Sequence, residues 1–526
     1  MTPPRPLYSL ILTVSFLCPL ALPNASAASS PPPQLLKEFP ADRFVDLLDP
    51  AIVQDQRLWF TADDGRSGRE PWTSDGTPTG TRLLKDTLPG RTTQGPRSGN
   101  PIAFWPMGSS VWFQVDDSAQ PWWQSNGQTT QPIAALNSTL KRIQPPNTIL
   151  AVSQPSPRLL FAIATNQGAE LWQSTAQQPT PQRFYRFPST AVGFPPQLFT
   201  VAGAQTFFAA ANAQGTQQLW RTDGTSKGTI ALKSLNPAAE PFTVWQNRIY
   251  FQAETPQQGW ELWTSDGTIA GTQLIQDVLP GPGHSAPRLL TGIKQQFFWV
   301  ANGPQGEELW VTEGQPNQTR RVKRLTNRPS FRAERNFGVV KNRLFFSTVA
   351  ADGKAYLWLT DGTEAGTRQL TPQGLFSLTH LTVVGDRVFF SATGPDGSEP
   401  WVSDGTVQGT RQIKDLAPGT TVIAAPCAPP PLGERRNCPP PTPVANSSDP
   451  TRLTAFRDRL YFIAHTADKT QLWRTDGSDR GTEAILDLAP AVAGRPSPRI
   501  LPFRDHLLVT GYQMDKNRLQ LWSIRE

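Results

Sequence analysis

Over most of this chain the apolar positions come in short runs separated by turn-forming Gly, Pro and Asp. Residues 378–416 are a clean example. Residues 378–384 are apolar and β-branched, Gly385-Asp386-Arg387 is a turn, and 388–392 is a second apolar run. A turn at 394–397, with Pro395 and Asp396, leads into a third run, 399–403, around Trp401. The loop 404–409 follows, then a fourth run at 410–415. Short runs broken by turn residues, without a helical period, predict β-strands throughout.

The second run of each unit carries adjacent aromatics: Trp59-Phe60, Trp112-Phe113, Phe207-Phe208, Tyr250-Phe251, Phe297-Phe298, Phe345-Phe346, Phe389-Phe390 and Tyr461-Phe462. Neighbours on a strand point to opposite faces, so both faces of these sheets must be buried. A sheet wet on one side would alternate apolar and polar instead. Small sheets stacked face to face around an axis meet the requirement, which predicts a β-propeller.

The third run recurs as a motif. It reads EPWTSDGTPTGT at 70–81, QLWRTDGTSKGT at 218–229, ELWTSDGTIAGT at 261–272, YLWLTDGTEAGT at 356–367 and EPWVSDGTVQGT at 399–410, with QLWRTDGSDRGT at 471–482. Worn copies centre on Trp122, Trp172, Trp310 and Trp522. A period near fifty residues marks a repeat architecture, here about ten four-stranded blades, with two five-bladed rings as the alternative. The wide interval between Trp401 and Trp473 holds a Pro-rich insertion, 419–450. The last unit stops after its third run, 519–524, while Leu35-Leu36-Lys37-Glu38 resembles the fourth run of other units. The first residues are therefore expected to complete the last blade.

The pairs Asp75-Gly76, Asp223-Gly224, Asp266-Gly267, Asp361-Gly362, Asp404-Gly405 and Asp476-Gly477 read as structural turns. Asp side chains bond nearby backbone N–H groups, and Gly takes positive φ without steric cost. Calcium binding is not supported, since no loop alternates Asp ligands and ends on Glu. The repeated tryptophans read as blade packing before sugar platforms.

With these residues the chain resembles the bacterial ELWxxDGT-repeat family, from about Leu58 to Trp522. The resemblance implies an exported protein of repeated β units without established catalytic residues. The turn is also similar to the Asp-box of sialidase-like propellers, although here the Trp precedes the Asp.

Arg5, an apolar stretch at 7–22 and Ala25-Ser26-Ala27 read as a secretory signal, residues 1–27, leaving 28–526 as the propeller. The apolar stretch is too short for a transmembrane helix. Cys18 leaves with the signal, so Cys427 and Cys438 are expected to form a disulfide in an oxidising compartment. Net charge is +7. Basic residues crowd at Arg320, Arg321, Lys323, Arg324, Arg328, Arg332, Arg335, Lys341 and Arg343, and Arg328, Arg332 and Arg335 are a candidate anionic-ligand patch. The face opposite the Asp-Gly-Thr turns collects the variable loops, including 281–285, 327–335 and the insertion.

Metalloprotease, nucleophile-elbow, P-loop and dinucleotide motifs are absent from the sequence. The four histidines, His284, His380, His465 and His506, form no ligand motif, and Tyr185 and Tyr512 sit in no recognisable constellation. The reading at this level is an exported, probably monomer-forming propeller without catalysis or cofactor. It would bind envelope polysaccharide or another exported protein, and not intracellular nucleic acid. A degenerate or unrecognised glycan hydrolase is the alternative.

Overall fold

Adjacent aromatics on one strand must feed two different cores, and they do. The computed structural model describes residues 31–526 apart from 41–44, 48–50, 118, 143–147, 153–155, 166–167, 188–195, 213, 241, 327–336, 351, 424–441, 467–468, 490–496 and 514–517. In the eighth blade the strands are Ser377–Val384, Arg387–Gly394, Gly397–Ser403 and Arg411–Gln412, paired antiparallel in that order. Phe390 stands opposite Trp401 in register, with the rings stacked 6.1 Å apart. Phe390 packs toward the seventh blade with Phe345, and Phe389 toward the ninth with Phe462. Each such ring, fully buried, contributes about 1.5–3 kcal/mol.

Ten blades are built this way, and almost all regular structure among the described residues is strand. The inter-blade cores run in sequence, from Trp59 with Phe113 between the first and second blades to Tyr461 with Val509 between the ninth and tenth. A further core joins the tenth blade back to the first, with Phe503, Leu508 and Leu521 against Phe60 and Trp72. One closed ring results. Two five-bladed rings would require the fifth blade to pack on the first. It packs on the sixth, with Tyr250 and Phe297 stacked at 4.0 Å.

The N-terminal strand completes the last blade. Gln34–Phe39 pairs antiparallel with Arg518–Arg525, placing Leu35 opposite Trp522 and Phe39 opposite Leu519. Gln520 donates to Glu38 Oε1 at 2.6 Å. Phe39 is buried and meets Trp72 of the first blade edge-on at 5.4 Å. The strand therefore belongs to the last blade by hydrogen bonding and to the first by packing.

Some sequence expectations shift. The anchor of the second blade is Trp123, which stands opposite Phe113, and not Trp122. In the sixth blade Trp310 faces Trp299, so the working pair is Phe298-Trp299. Several fourth strands shrink to two residues, as at Arg368–Gln369. A helix, Ala134–Arg142, follows the second blade and buries Leu136 and Leu140 between blades two and three. Its apolar residues four apart carry a helical period that the strand rhythm masked. The ends of the insertion form a hairpin, Thr420–Ile423 with Thr442–Ala445.

Two outcomes are expected. Phe39→Ala should lower the thermal midpoint by several degrees, since emptying a buried Phe site costs about 3–5 kcal/mol; an unchanged melting curve would sink the closure argument. Cys427 and Cys438 lie outside the described residues, but each is four residues from the paired ends Ile423 and Thr442 of the hairpin. Material cleaved after Ala27 should show no free thiol in a titration under denaturant, whereas two thiols would refute the disulfide.

Candidate functional site

The Asp-Gly-Thr turn consumes its own polar groups. Asp75 Oδ1 accepts from the Thr77 N–H at 3.0 Å and from its hydroxyl at 2.7 Å. Thr77 Oγ1 accepts from the Gly80 N–H at 3.0 Å. Ser74 Oγ accepts from the Gly76 N–H and pairs with Thr81 Oγ1 at 2.7 Å. The same Asp bond recurs at Asp223, Asp266, Asp361, Asp404 and Asp476. Gly76, Gly224, Gly267, Gly362, Gly405 and Gly477 all take φ between 87° and 91°. The later glycine has a different reason: a Cβ on Gly80 would sit 1.8 Å from Asp75 Oδ1. At Asp361 the hydrogen bonds from Thr363, side chain first, hold the carboxyl below its usual range.

Basic residues latch these turns to the preceding blade. Arg320, Arg368 and Arg411 donate to the carbonyls of Gly362, Gly405 and Gly477 at 2.7, 2.8 and 2.9 Å. Arg82 does the same to Gly127. Lys323 reaches the Thr367 carbonyl at 2.8 Å, and Arg321 pairs with buried Glu308 at 2.9 Å. The described part of the basic run is thus mortar between blades. Arg328, Arg332 and Arg335 lie outside the described residues.

On the opposite face, buried glutamates clamp the connectors between blades. Glu70 accepts from the Thr87 N–H and hydroxyl and from the Gly99 N–H. Glu261 accepts from Ser285 at 2.6 Å, and Glu399 from Ser448 at 2.6 Å and the Leu416 N–H. The loop 281–285, expected among the variable binding loops, therefore ends on a structural clamp. Burial pushes each of these three carboxyls up to about 7, and the neighbouring Asp86, Asp277 and Asp415 add to it, against the lowering effect of the hydrogen bonds.

A cleft of about 560 Å³ opens on the turn face between the sixth and seventh blades. Ile293, Lys294, Gln295, Gln296, Glu313, Asn342 and Asp361 line it. Its chemistry comes from a broken motif. In the sixth blade Glu313 replaces the turn Asp, and a 3-10 turn, Pro316–Gln318, completes the loop. Thr312 still holds the Gly314 N–H at 3.1 Å. The Glu313 carboxylate makes no hydrogen bond or ion pair among the described residues and is left to the cleft. Sequence reading registered Glu313-Gly314 only as a worn copy. The signal available was a carboxylate one methylene too long for the turn.

A second polar cluster lies at the closing seam. His506 Nδ1 is 2.5 Å from Ser523 Oγ, and its Nε2 is 3.1 Å from Asp505 Oδ1. The bonding order is that of a hydrolytic relay, but Ser523 is only 1% exposed and Gly76 covers the imidazole. Tyr512 is buried, and Tyr185 packs on Phe187 and Trp220. Neither tyrosine enters a site. No cluster of His, Cys, Asp and Glu suited to a metal stands among the described residues, and no described helix is long and apolar enough to cross a membrane.

No family model and no curated protein matches the chain. Its fold is similar to that of solved propeller-containing structures. Puromycin hydrolase is 13% identical over 71% of this chain and 60% of its own, with a TM-score of 0.31. Acylaminoacyl peptidase of Pyrococcus horikoshii is 10% identical over 68% and 55%, TM-score 0.26. The β-propeller domain of the Trilobed protease from Pyrococcus furiosus, described as having an open velcro topology, is 10% identical over 74% and 99%, TM-score 0.26. The chain spans about six-tenths of the length of the first of these matches. Likeness at this level speaks to fold, and those activities belong to those proteins. Their names are nevertheless those of hydrolases and peptidases, which overturns the expectation of a non-catalytic binding or scaffold module and of a glycan hydrolase as its alternative. The physical flaw in that expectation is plain. Repeated residues that hold a scaffold say nothing about the unrepeated positions, where function is grafted onto a fold.

The glutamate clamps give a pH dependence. Their folded pKa lies above the unfolded value, so the stability they contribute is complete below about 4.5 and is lost as pH rises through about 7. The thermal midpoint should fall between pH 5 and pH 8, and replacing Glu70, Glu261 and Glu399 together with Gln should flatten that fall. An identical slope in the triple variant would refute the assignment.

Proposed function

We propose that the chain is a peptide-hydrolysing protein whose propeller seats the peptide in the cleft between the sixth and seventh blades. The observation that carries this reading is the lining of the cleft. Glu313 and Asp361 offer carboxylates to an ammonium or guanidinium group, and Lys294 offers a cation to a carboxylate. Gln295, Gln296 and Asn342 offer both donors and acceptors to a peptide backbone. No aromatic face lines the cleft on which a sugar ring would stack. Peptides carry both charges and alternating amide groups, and they fit such a surface better than a glycan does. The cleft defines where a peptide sits, not which group attacks it.

Export belongs to the same proposal. Arg5, the apolar stretch after it and Ala25-Ser26-Ala27 support a secreted or envelope location, which would make exported peptides the substrates.

The test pairs binding with cleavage. Fluorescence anisotropy with a labelled lysine-rich peptide should show saturable binding, weakened about tenfold in Glu313→Gln, since a charge-assisted hydrogen bond is worth about 1.5–3 kcal/mol. Mass spectrometry of a casein digest incubated with the protein should show new peptide ends. A protein that neither binds nor cleaves peptides would overturn the reading.

A further inference from the structure

The seam between the tenth and first blades follows the pattern of the others except at one residue. The glycine of an Asp-Gly turn lies against the first residue of the second strand in the blade before it. That residue is Arg at Arg158, Arg343 and Arg387, and Gln at Gln205 and Gln296. At the closing seam the glycine is Gly76 and its neighbour is His506, with a Cβ position 3.1 Å from the ring. Arg keeps its proton and Gln has none to exchange. His changes charge between about pH 5 and 8.

The bonds of His506 define its neutral form. Nε2–H donates to Asp505, and Nδ1 offers a lone pair to the Ser523 hydroxyl at 2.5 Å and to Arg525 Nε at 3.4 Å. Ser523 is the residue paired with Gln34 of the N-terminal strand. The groups facing the ring are Asp505 and Arg504 from its own turn, Arg525 from the last strand and Asp75 from the first blade. A proton on Nδ1 would point a donor at two donors, beside two arginines and under a backbone that leaves no room to turn.

We propose that this seam is a proton-operated latch, in which protonation of His506 releases the N-terminal strand Gln34–Phe39 from the ring. Burial first, then Arg525 and Arg504, hold the imidazole below its ordinary range, while Asp505 and Asp75 oppose them. The contribution of the latch is therefore complete above about pH 6.5 and is lost as pH falls through the lower folded value. The glutamate clamps work in the opposite sense, so whole-protein melting does not separate the two. A local measurement does.

Hydrogen exchange should be followed by mass spectrometry on the full chain at pH 7.5 and pH 5, normalised for intrinsic rates. Protection of the 34–39 amides should drop about tenfold in acid, equivalent to one pKa unit of differential binding. The internal strand Arg387–Gly394 should keep its protection. His506→Gln, which copies Gln205 and Gln296, should abolish the acid effect. Should that variant fail to fold, Asp505→Asn at the exposed partner should move the drop to lower pH. Unchanged protection in the native chain, the same drop in His506→Gln, or no movement in Asp505→Asn would each overturn the proposal.

Discussion

A four-stranded sheet with aromatic side chains on both faces cannot stand alone in water, and this constraint governs the molecule. Phe389 and Phe390 are adjacent in sequence yet serve cores on opposite sides of one blade. Each blade therefore needs two neighbours, and a row of blades always leaves two faces wet. Only a ring removes them. Hence the tenth blade meets the first through Phe503 and Trp72, and the N-terminal strand is drawn in to cover the last sheet. Stability is shared among joins of similar kind, so no single core holds the whole.

Repetition and chemistry occupy different residues. Where the turn motif is intact, its Asp, Gly and Thr groups bond one another, as from Asp75 to Thr81, and little is left over for a ligand. Where it is broken, groups are set free. Glu313 is too long for the turn, and its carboxylate goes to the cleft. His506 stands where other blades carry Arg or Gln, and it brings a proton-dependent contact. Departures from the consensus are therefore the positions at which function is to be sought.

The fold was legible because its cause is local. Adjacent aromatics, turn residues at fixed offsets and a period near fifty residues all report on strands and their burial, and the orphan Leu-Leu-Lys-Glu run reported on closure. Less was legible where the cause lies between blades. Nothing in the spacing of Arg320 or Lys323 shows that they reach carbonyls of the next blade, so a structural latch read as a charged patch. The clamps were hidden for the same reason, since Glu261 and Ser285 meet only across a connector. The Trp122-Trp123 pair was misassigned because adjacent identical residues leave the register open until a partner strand fixes it. The cleft needed four turns from two blades, which no single stretch of sequence displays.

The pairing of Gln34 with Ser523 also sets an order of assembly. The strand that leaves the ribosome first is the one whose place is made last, with Glu38 and Gln520 separated by 482 positions. Until the final blade exists, that strand has no partner and the first and tenth blades each keep one aromatic face uncovered. Long-range pairings of this kind are slow to form. The unfinished chain is thus a linear stack with two adhesive ends, and a second unfinished chain offers the same surfaces at the same moment. Whether such a stack closes on itself or joins its neighbour depends on concentration, so crowding during synthesis, more than the strength of any contact, decides the yield of closed rings.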